Sequence, residues 1–309
     1  MAHTHAPAGG GRAAAALATR RADTGRRMAM ALAINLALLV AEAVGGLITG
    51  SLALLADAGH VLSDVGAIAL GLFAARLAAS LGGPRRTFGL QRAEVLAGLV
   101  NGIALAVIAA VIAIEAIPRI SDPVELDAVP VLVLGAVGLA GNLAATWILA
   151  GGERSDLNLE GVLRHSLADA LGSLGVIVAA VLILTAGLDV ADPIASLLIA
   201  ALVLASSWRL ISEPVNVLME AAPEGLDVDR LGRELCTVED VRGVHDLHVW
   251  TVTAGFDALA AHVVVRPGAD RDQVRFRLEH LLHERFGIEH TTLQIVEDAE
   301  GGLLQVEGA

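Results

Sequence analysis

The sequence predicts an α-helical membrane protein with about six transmembrane helices and a C-terminal α+β domain. Of the 309 residues, 55% are hydrophobic, and the mean hydropathy of +0.67 is too high for an ordinary soluble domain. Six apolar runs each approach the length of about 20 residues that crosses a bilayer. After Glu213 and Pro214 the chain becomes charged and patterned like a soluble domain.

The composition excludes several classes of protein. The formal net charge of −13 argues against nucleic acid as a partner. Cys236 is the single cysteine, which excludes an internal disulfide or a cysteine metal cluster within one chain. All 21 basic residues are arginines, and alanine, glycine, leucine and valine are abundant, which indicates a GC-rich bacterial genome.

The predicted domains follow these changes in composition. Residues 1–26 are predicted to be a disordered cytoplasmic tail and residues 27–212 a transmembrane domain. Residues 213–298 are assigned to a C-terminal domain, and residues 299–309 to a flexible acidic tail. The apolar runs within the transmembrane domain are placed at 28–48, 52–78, 92–116, 129–150, 162–186 and 192–211.

The distribution of arginine predicts the orientation in the membrane. Arginines precede the first run and flank the second and fourth loops, whereas the first and fifth loops have none. Since arginine accumulates in cytoplasmic loops, both termini and the even-numbered loops are predicted to be cytoplasmic. The arginines concerned are Arg20, Arg21, Arg26, Arg27, Arg85, Arg86, Arg92, Arg154 and Arg164.

The C-terminal segment has the pattern of a small sandwich of helices on a sheet. Apolar periodicity changes between helix-like and strand-like in the order α-β-β-α-β, with Gly287 ending the second helix. The predicted elements are helices at Leu226–Val238 and Arg271–Phe286 and strands at Val244–Val252, Ala258–Val265 and Thr291–Val296.

Two pairs of ionisable residues within the apolar runs are the candidate functional site. His60 and Asp64 lie four residues apart in the second run, and His165 and Asp169 repeat that spacing in the fifth at a similar depth. Ionisable residues inside a membrane are costly and mark functional sites. Two imidazoles and two carboxylates form a tetrahedral ligand set suited to zinc. The structural alternative is a pair of hydrogen bonds between helices.

Other polar residues in the apolar runs have less specific interpretations. Asp57 lies one turn outward from His60, where it would widen an exit vestibule, accept from an imidazole N–H, or simply be a polar residue near the outer surface. Glu42 is the other acid, and it either has a charge-related role or lies close to the outer boundary.

Four sequence segments resemble one family. Leu54–Asp64, Phe88–Ala97, His245–Trp250 and His290–Ile295 are similar to segments of the cation diffusion facilitators, which are zinc-transporting metal/proton antiporters. The resemblance covers about residues 25–298. It implies a homodimer in a lipid bilayer, here the bacterial plasma (inner) membrane, with proton-coupled Zn²⁺ export and a ferredoxin-like, metal-sensing cytoplasmic domain.

The resemblance also implies particular metal ligands. The transport ligands would be His60, Asp64, His165 and Asp169, with Zn²⁺ as cargo and protons as counter-ions. The cytoplasmic regulatory ligands would be His245, His262, His290 and Glu297; ordinary surface histidines are the alternative. Because His245 and His248 point to opposite faces of a strand, His248 is expected outside that site.

The resemblance further suggests that Arg92 and Glu220 form a charge interlock between the membrane and cytoplasmic parts. Two solvated surface charges are the alternative interpretation. The loop Ser80–Gly89 contains no histidine, aspartate or glutamate, so the additional loop metal site of some relatives is expected to be absent.

Three functions therefore remain open. The first is a zinc exporter, and the second is a broader exporter of divalent cadmium, cobalt or nickel, because the order of metal affinities does not by itself select zinc. The third is a membrane metal sensor without transport. An enzyme is not expected, since the sequence lacks the His-Glu-x-x-His motif of a zinc hydrolase.

Overall fold

A computed structural model of the chain describes residues 10–78, 85–150 and 156–297. Within these ranges, the side chains of residues 10–28, 68, 72, 75, 78, 149–150 and 156–168 are left undescribed. Six long helices each contain a stretch apolar and long enough to cross a membrane, which confirms the predicted fold class. They are α1 (Gly10–Thr49), α2 (Leu52–Ala78), α3 (Ala93–Ser121), α4 (Ala128–Ala150), α5 (Asp156–Ala186) and α6 (Ala191–Leu218).

Two predicted boundaries differ from these helices. Helix α1 begins at Gly10, so residues 10–26 are helical where a disordered tail was predicted; the run is rich in alanine, the strongest helix former. Helix α6 continues through Pro214 to Leu218, beyond the predicted boundary at residue 212. The composition therefore changes before the helix ends. Residues 1–9 and the predicted tail 299–309 lie outside the described ranges.

The chain divides into two compact units. The first comprises Met1–Ala69 and Val100–Arg209, and the second comprises Leu70–Leu99 and Leu210–Ala309. The second unit thus joins the end of α2, the start of α3 and the end of α6 to the C-terminal domain.

In the first unit, small side chains lie between the helices and large apolar side chains lie outside. Ala53, Ala180 and Ala200 are almost fully buried, whereas Ile48 and Trp147 are 80% and 79% exposed. In lipid, small residues allow helices to approach closely, and outward-facing apolar residues contact the acyl chains. This distribution of side chains is the one expected of a helical bundle that crosses a membrane.

A carboxylate from one helix caps the start of another. Asp192 Oδ1 accepts a hydrogen bond from Ser51 Oγ at 2.5 Å, and Asp192 Oδ2 accepts one from the Leu52 N–H at 2.9 Å. Ser51 Oγ accepts from the Leu54 N–H at 3.2 Å. The first N–H groups of a helix have no partner within it, so buried Asp192 joins the start of α6 to the start of α2.

We expect Asp192→Ala to lower the stability of the first unit, which is called the membrane unit below. The change leaves the buried Ser51 O–H and Leu52 N–H without their acceptor, which costs about 2–4 kcal/mol in total. Thermal unfolding of the purified protein in detergent measures the loss. Asp189→Ala, in the loop just before α6 and outside these hydrogen bonds, is the matched control, and equal midpoints for the two variants would contradict the capping role.

The C-terminal domain packs two helices on a three-stranded sheet. Its elements are α7 (Val228–Leu235), β1 (Val241–Thr253), β2 (Phe256–Val265), α8 (Arg271–Phe286) and β3 (His290–Glu297). Strand β1 is antiparallel to β2, and β3 is parallel to β2. Because parallel strands need a crossover connection, α8 returns the chain across the sheet and buries Leu278 and Leu282.

Both ends of α8 are capped, and the helix ends at Gly287 as predicted. The Asp270 side chain accepts from the Gln273 N–H, and Gly287 has a left-handed φ of 68° at the C-cap, a conformation that glycine adopts without strain. The observed α-β-β-α-β order confirms the predicted ferredoxin-like α+β domain.

Candidate functional site

Three ionisable side chains from two helices meet inside the membrane unit. His60 and Asp64 belong to α2 and Asp169 to α5. His60 Nε2 lies 2.8 Å from Asp169 Oδ1, and both side chains are largely buried. One ligand atom from each of the three residues lies within 4.8 Å of the others. The structure therefore brings together residues of the two helices that the repeated spacing singled out.

This geometry suits one small divalent ion. Around a tetrahedral zinc ion with bonds of about 2.0–2.2 Å, ligand atoms lie roughly 3.3–3.6 Å apart, and the three observed atoms need only small movements to reach that spacing. In the hydrogen-bonded arrangement, a proton lies between the His60 imidazole and the Asp169 carboxylate. A metal ion bound to the same two atoms would take the place of that proton.

The fourth predicted ligand, His165, lies among the undescribed side chains. Its backbone belongs to α5, four residues before Asp169. Residues four apart share one face of a helix, so the backbone puts His165 on the face of α5 that carries Asp169.

A hydrogen bond between α2 and α3 lies next to this cluster. Asn101 Nδ2 donates to Ser63 Oγ at 3.0 Å, and both side chains are buried. A Cβ on Gly66 would lie 3.0 Å from Asn101 Oδ1, so the missing side chain makes room for the amide. Ser63 immediately precedes Asp64, and this contact restrains the turn of α2 that carries that ligand.

Asp57 does not line an open vestibule in this structure. Its side chain is 1% exposed, and its Oδ2 accepts a hydrogen bond from Ser173 Oγ on α5 at 2.9 Å. A Cβ on Gly172 would lie 2.5 Å from Asp57 Oδ1, closer than real Cβ contacts. Glycine at that position of α5 is therefore what allows the carboxylate to be buried there.

Glu42 is also deeply buried, which the sequence did not determine. Its side chain is 1% exposed, so it does not lie at the outer surface. Neither carboxylate oxygen has a hydrogen-bond partner among the described residues. The available sequence signal was a single acid in the apolar run of α1, and only the tertiary contacts establish its surroundings.

A second cluster lies on the exposed surface of the C-terminal domain. His245 and His262 are paired across β1 and β2, and their ring centroids are 5.1 Å apart. Asp246 Oδ2 lies 3.2 Å from His245 Nδ1 and 3.1 Å from His262 Nδ1. These two imidazoles and one carboxylate have the chemistry and spacing of a three-ligand metal site.

The other two predicted cytoplasmic ligands lie elsewhere in the protomer. His290 is at the start of β3, where its ring packs against Phe88 and Phe256 with centroids 5.5 Å from each. Glu297 is at the opposite end of β3 and forms an ion pair with Arg271 at 3.0 Å. Since β3 is an extended strand, a single protomer does not bring either residue to His262.

Sequence reasoning missed Asp246 because it assumed a regular strand. In a regular strand, Asp246 would point away from its neighbour His245. The β1–β2 pairing shifts register between His245 and His248, and Asp246 has a left-handed φ of 48°. This irregularity turns the carboxylate toward both imidazoles. A non-glycine residue in that conformation is strained, and such strain concentrates at functional sites.

The predicted interlock residues form an ion pair within the second unit. Arg92 Nη2 lies 3.2 Å from Glu220 Oε1, with side-chain exposures of 37% and 64%. Thr253 Oγ1 donates to Glu94 Oε2 at 3.1 Å. An exposed ion pair contributes about 0–1 kcal/mol, so the start of α3 is held to the C-terminal domain by several weak contacts together.

Comparison with known proteins gives a family match over almost the whole described chain. The family model of the cation efflux transmembrane domain matches residues 28–219. The model of the cation efflux protein cytoplasmic domain matches residues 223–297.

Similar proteins cover most of the chain. The zinc transporter ZitB of Escherichia coli (strain K12) is 40% identical over 275 residues, covering 88% of each chain. The cadmium, cobalt and zinc/H(+)-K(+) antiporter of Bacillus subtilis (strain 168) is 39% identical over 266 residues, covering 84% of this chain and 85% of its own.

One solved structure covers a smaller share of the chain. The metal-bound C-terminal domain of the CzcD transporter is 28% identical and covers 23% of this chain and 99% of its own, with a TM-score of 0.22. The two family models together match residues 28–219 and 223–297. The chain is therefore a multi-pass integral membrane protein of the cation diffusion facilitator, or cation efflux, family, whose members are transporters rather than enzymes.

Proposed function

We propose that this protein exports Zn²⁺ from the cytoplasm in exchange for protons, through a site formed by His60, Asp64, His165 and Asp169. The observation that supports this most directly is the meeting of His60 and Asp64 from α2 with Asp169 from α5. The alternative role for these residues is a pair of hydrogen bonds between helices. Such a pair does not need a third ionisable side chain at the same place, so the presence of Asp64 favours a metal site.

Proton exchange follows from the chemistry of the ligands. Zinc binds neutral imidazole and ionised carboxylate, so metal binding releases protons. In the proposed inward-facing state the site takes up Zn²⁺ and loses a proton, and in the outward-facing state it releases Zn²⁺ and regains one. In this proposal, the contact of 2.8 Å between His60 and Asp169 belongs to the state of the site without metal. The site opens alternately to either side as helices move.

The same proposal includes orientation, assembly and regulation. Arginine placement favours cytoplasmic termini in a bacterial inner membrane, and the cytoplasmic domain favours a homodimer. Metal binding at His245, Asp246 and His262 neutralises acidic surface charge and allows the two cytoplasmic domains to approach. The contacts from α3 to the C-terminal domain then connect that movement to the membrane helices.

Export of several divalent metals is the second candidate. The Bacillus relative is named for cadmium and cobalt as well as zinc, and a site of imidazole and carboxylate donors accepts several first-row metals. The two candidates differ only in selectivity and use the same site.

A flux assay tests the proposal. We expect purified protein in proteoliposomes to accumulate Zn²⁺ when a pH gradient is imposed, and His165→Ala to abolish the accumulation because one of four ligands is lost. Parallel measurements with Cd²⁺, Co²⁺ and Ni²⁺ separate the two candidates. Absence of any metal flux in the wild-type protein, with metal binding retained, would instead support a sensor without transport.

A further inference from the structure

We propose that Glu42 binds one of the counter-transported protons, at a position separate from the metal ligands. This inference rests on the proposed function, since it assigns a residue to the proton half of the exchange. Glu42 lies in the membrane-crossing part of α1, seven residues before Thr49. At 1.5 Å per residue, that is about 10 Å from the end of the helix.

The surroundings of Glu42 are closed and formed by three other helices. A Cβ on Gly138 of α4 would collide with Glu42 Oε1 and would lie 3.4 Å from Ser173 Oγ of α5. Ser173 in turn donates to Asp57 of α2. Glu42 and Asp57 therefore flank the same serine, and glycine makes room for each carboxylate.

Burial disfavours the ionised form of Glu42, and nearby negative charge adds to that effect. The charged groups that act on it are Asp57 on α2 and Asp169 on α5, and His60 lies one helical turn along α2 from Asp57. Its two oxygens receive no hydrogen bond from the described residues. Burying an ionised carboxylate without a donor or counter-charge is very costly, so in this state Glu42 holds a proton.

Metal binding reverses that preference. Asp169 is one of the two acids whose negative charge acts on Glu42, and a divalent ion bound at His60, Asp64 and Asp169 adds positive charge there. This charge stabilises the ionised form, so the Glu42 carboxylic acid becomes a carboxylate and releases one proton. By linkage, a proton on Glu42 weakens metal binding by the same factor. The two cations are thereby exchanged without sharing a ligand.

Glu42→Gln tests this role, because glutamine keeps the shape of the protonated acid and cannot release a proton. We expect the number of protons exchanged for each transported metal ion to fall by about one in this variant. Accumulation driven by the pH gradient should fall at least about tenfold. Exchange of Zn²⁺ across the membrane without a gradient should continue, and Glu42→Asp should restore coupling. Glu115→Gln, the same chemical change on the exposed surface of α3, is the matched control.

The outcomes distinguish this proposal from the function on which it rests. If Glu42→Gln exchanges as many protons per metal ion as the wild type, the proton role is overturned. That result is the one expected if Glu42 is a structural acid that stays protonated throughout transport. Loss of coupled and uncoupled flux alike in an inserted variant also overturns it. If Glu42→Gln fails to insert, infrared spectroscopy of the wild-type protein tests the proton role instead. The band of the Glu42 carboxylic acid should disappear when metal is added, and its frequency should shift in Glu42→Asp. Absence of flux in the wild type would instead refute the proposed function.

Discussion

Asp169→Asn is expected to reduce metal flux at least about 100-fold while the protein still inserts and folds. Asparagine keeps the size of the side chain and removes the negative charge that a zinc ion requires from its carboxylate ligand. It also removes the carboxylate that lies 2.8 Å from His60 Nε2. The measurement is Zn²⁺ accumulation in proteoliposomes under an imposed pH gradient.

Asp189→Asn is the matched control, because it is the same chemical change in the loop before α6, outside the metal cluster. Equal thermal stability of the two variants would show that the loss of flux is not a folding defect. Normal flux through Asp169→Asn would contradict the assignment of the transport site and with it the use of α5 in transport.

The sequence singled out His60, Asp64 and Asp169, which the structure brings together, because the signal that identifies them is local. His60 and Asp64 recur as the pair His165 and Asp169, in runs where charge is strongly disfavoured. Such a pattern identifies residues without knowledge of how helices pack. Several helix ends, among them Thr49, Leu52 and Ala128, lie within one residue of the predicted bounds because the apolar runs have the length that a bilayer imposes. The start of α1 and the end of α6 lie beyond the apolar runs.

The sequence predicted least where the backbone is irregular or the contact is between distant elements. Asp246 joins His245 and His262 only because β1 departs from regular pairing. The family resemblance assigned His290 to the cytoplasmic metal site. In the structure its ring instead contacts Phe88, which lies before α3 and far away in the sequence. The burial of Glu42 likewise depends on the packing of four helices, which no local pattern encodes.

His262→Ala is expected to weaken the apparent metal affinity of the cytoplasmic domain at least about tenfold. The variant loses one imidazole of the cluster and leaves His245 and Asp246 as an incomplete pair. Binding is best measured by calorimetry on the full-length protein carrying Asp169→Asn, so that the transport site does not contribute heat. His280→Ala, on the exposed face of α8, is the matched control.

The same background distinguishes the two possible cytoplasmic ligand sets. If the local cluster binds the metal, Asp246→Asn should weaken binding as much as His262→Ala, whereas Glu297→Gln should have little effect because Glu297 is paired with Arg271. If the set implied by resemblance binds it, Glu297→Gln and His290→Ala should be the damaging changes. In that case the ligands must come from two protomers, because within one protomer β3 holds His290 and Glu297 at its opposite ends. Loss of binding in those two variants, with Asp246→Asn unaffected, would therefore place the regulatory metal at the dimer interface and not on the surface of each domain.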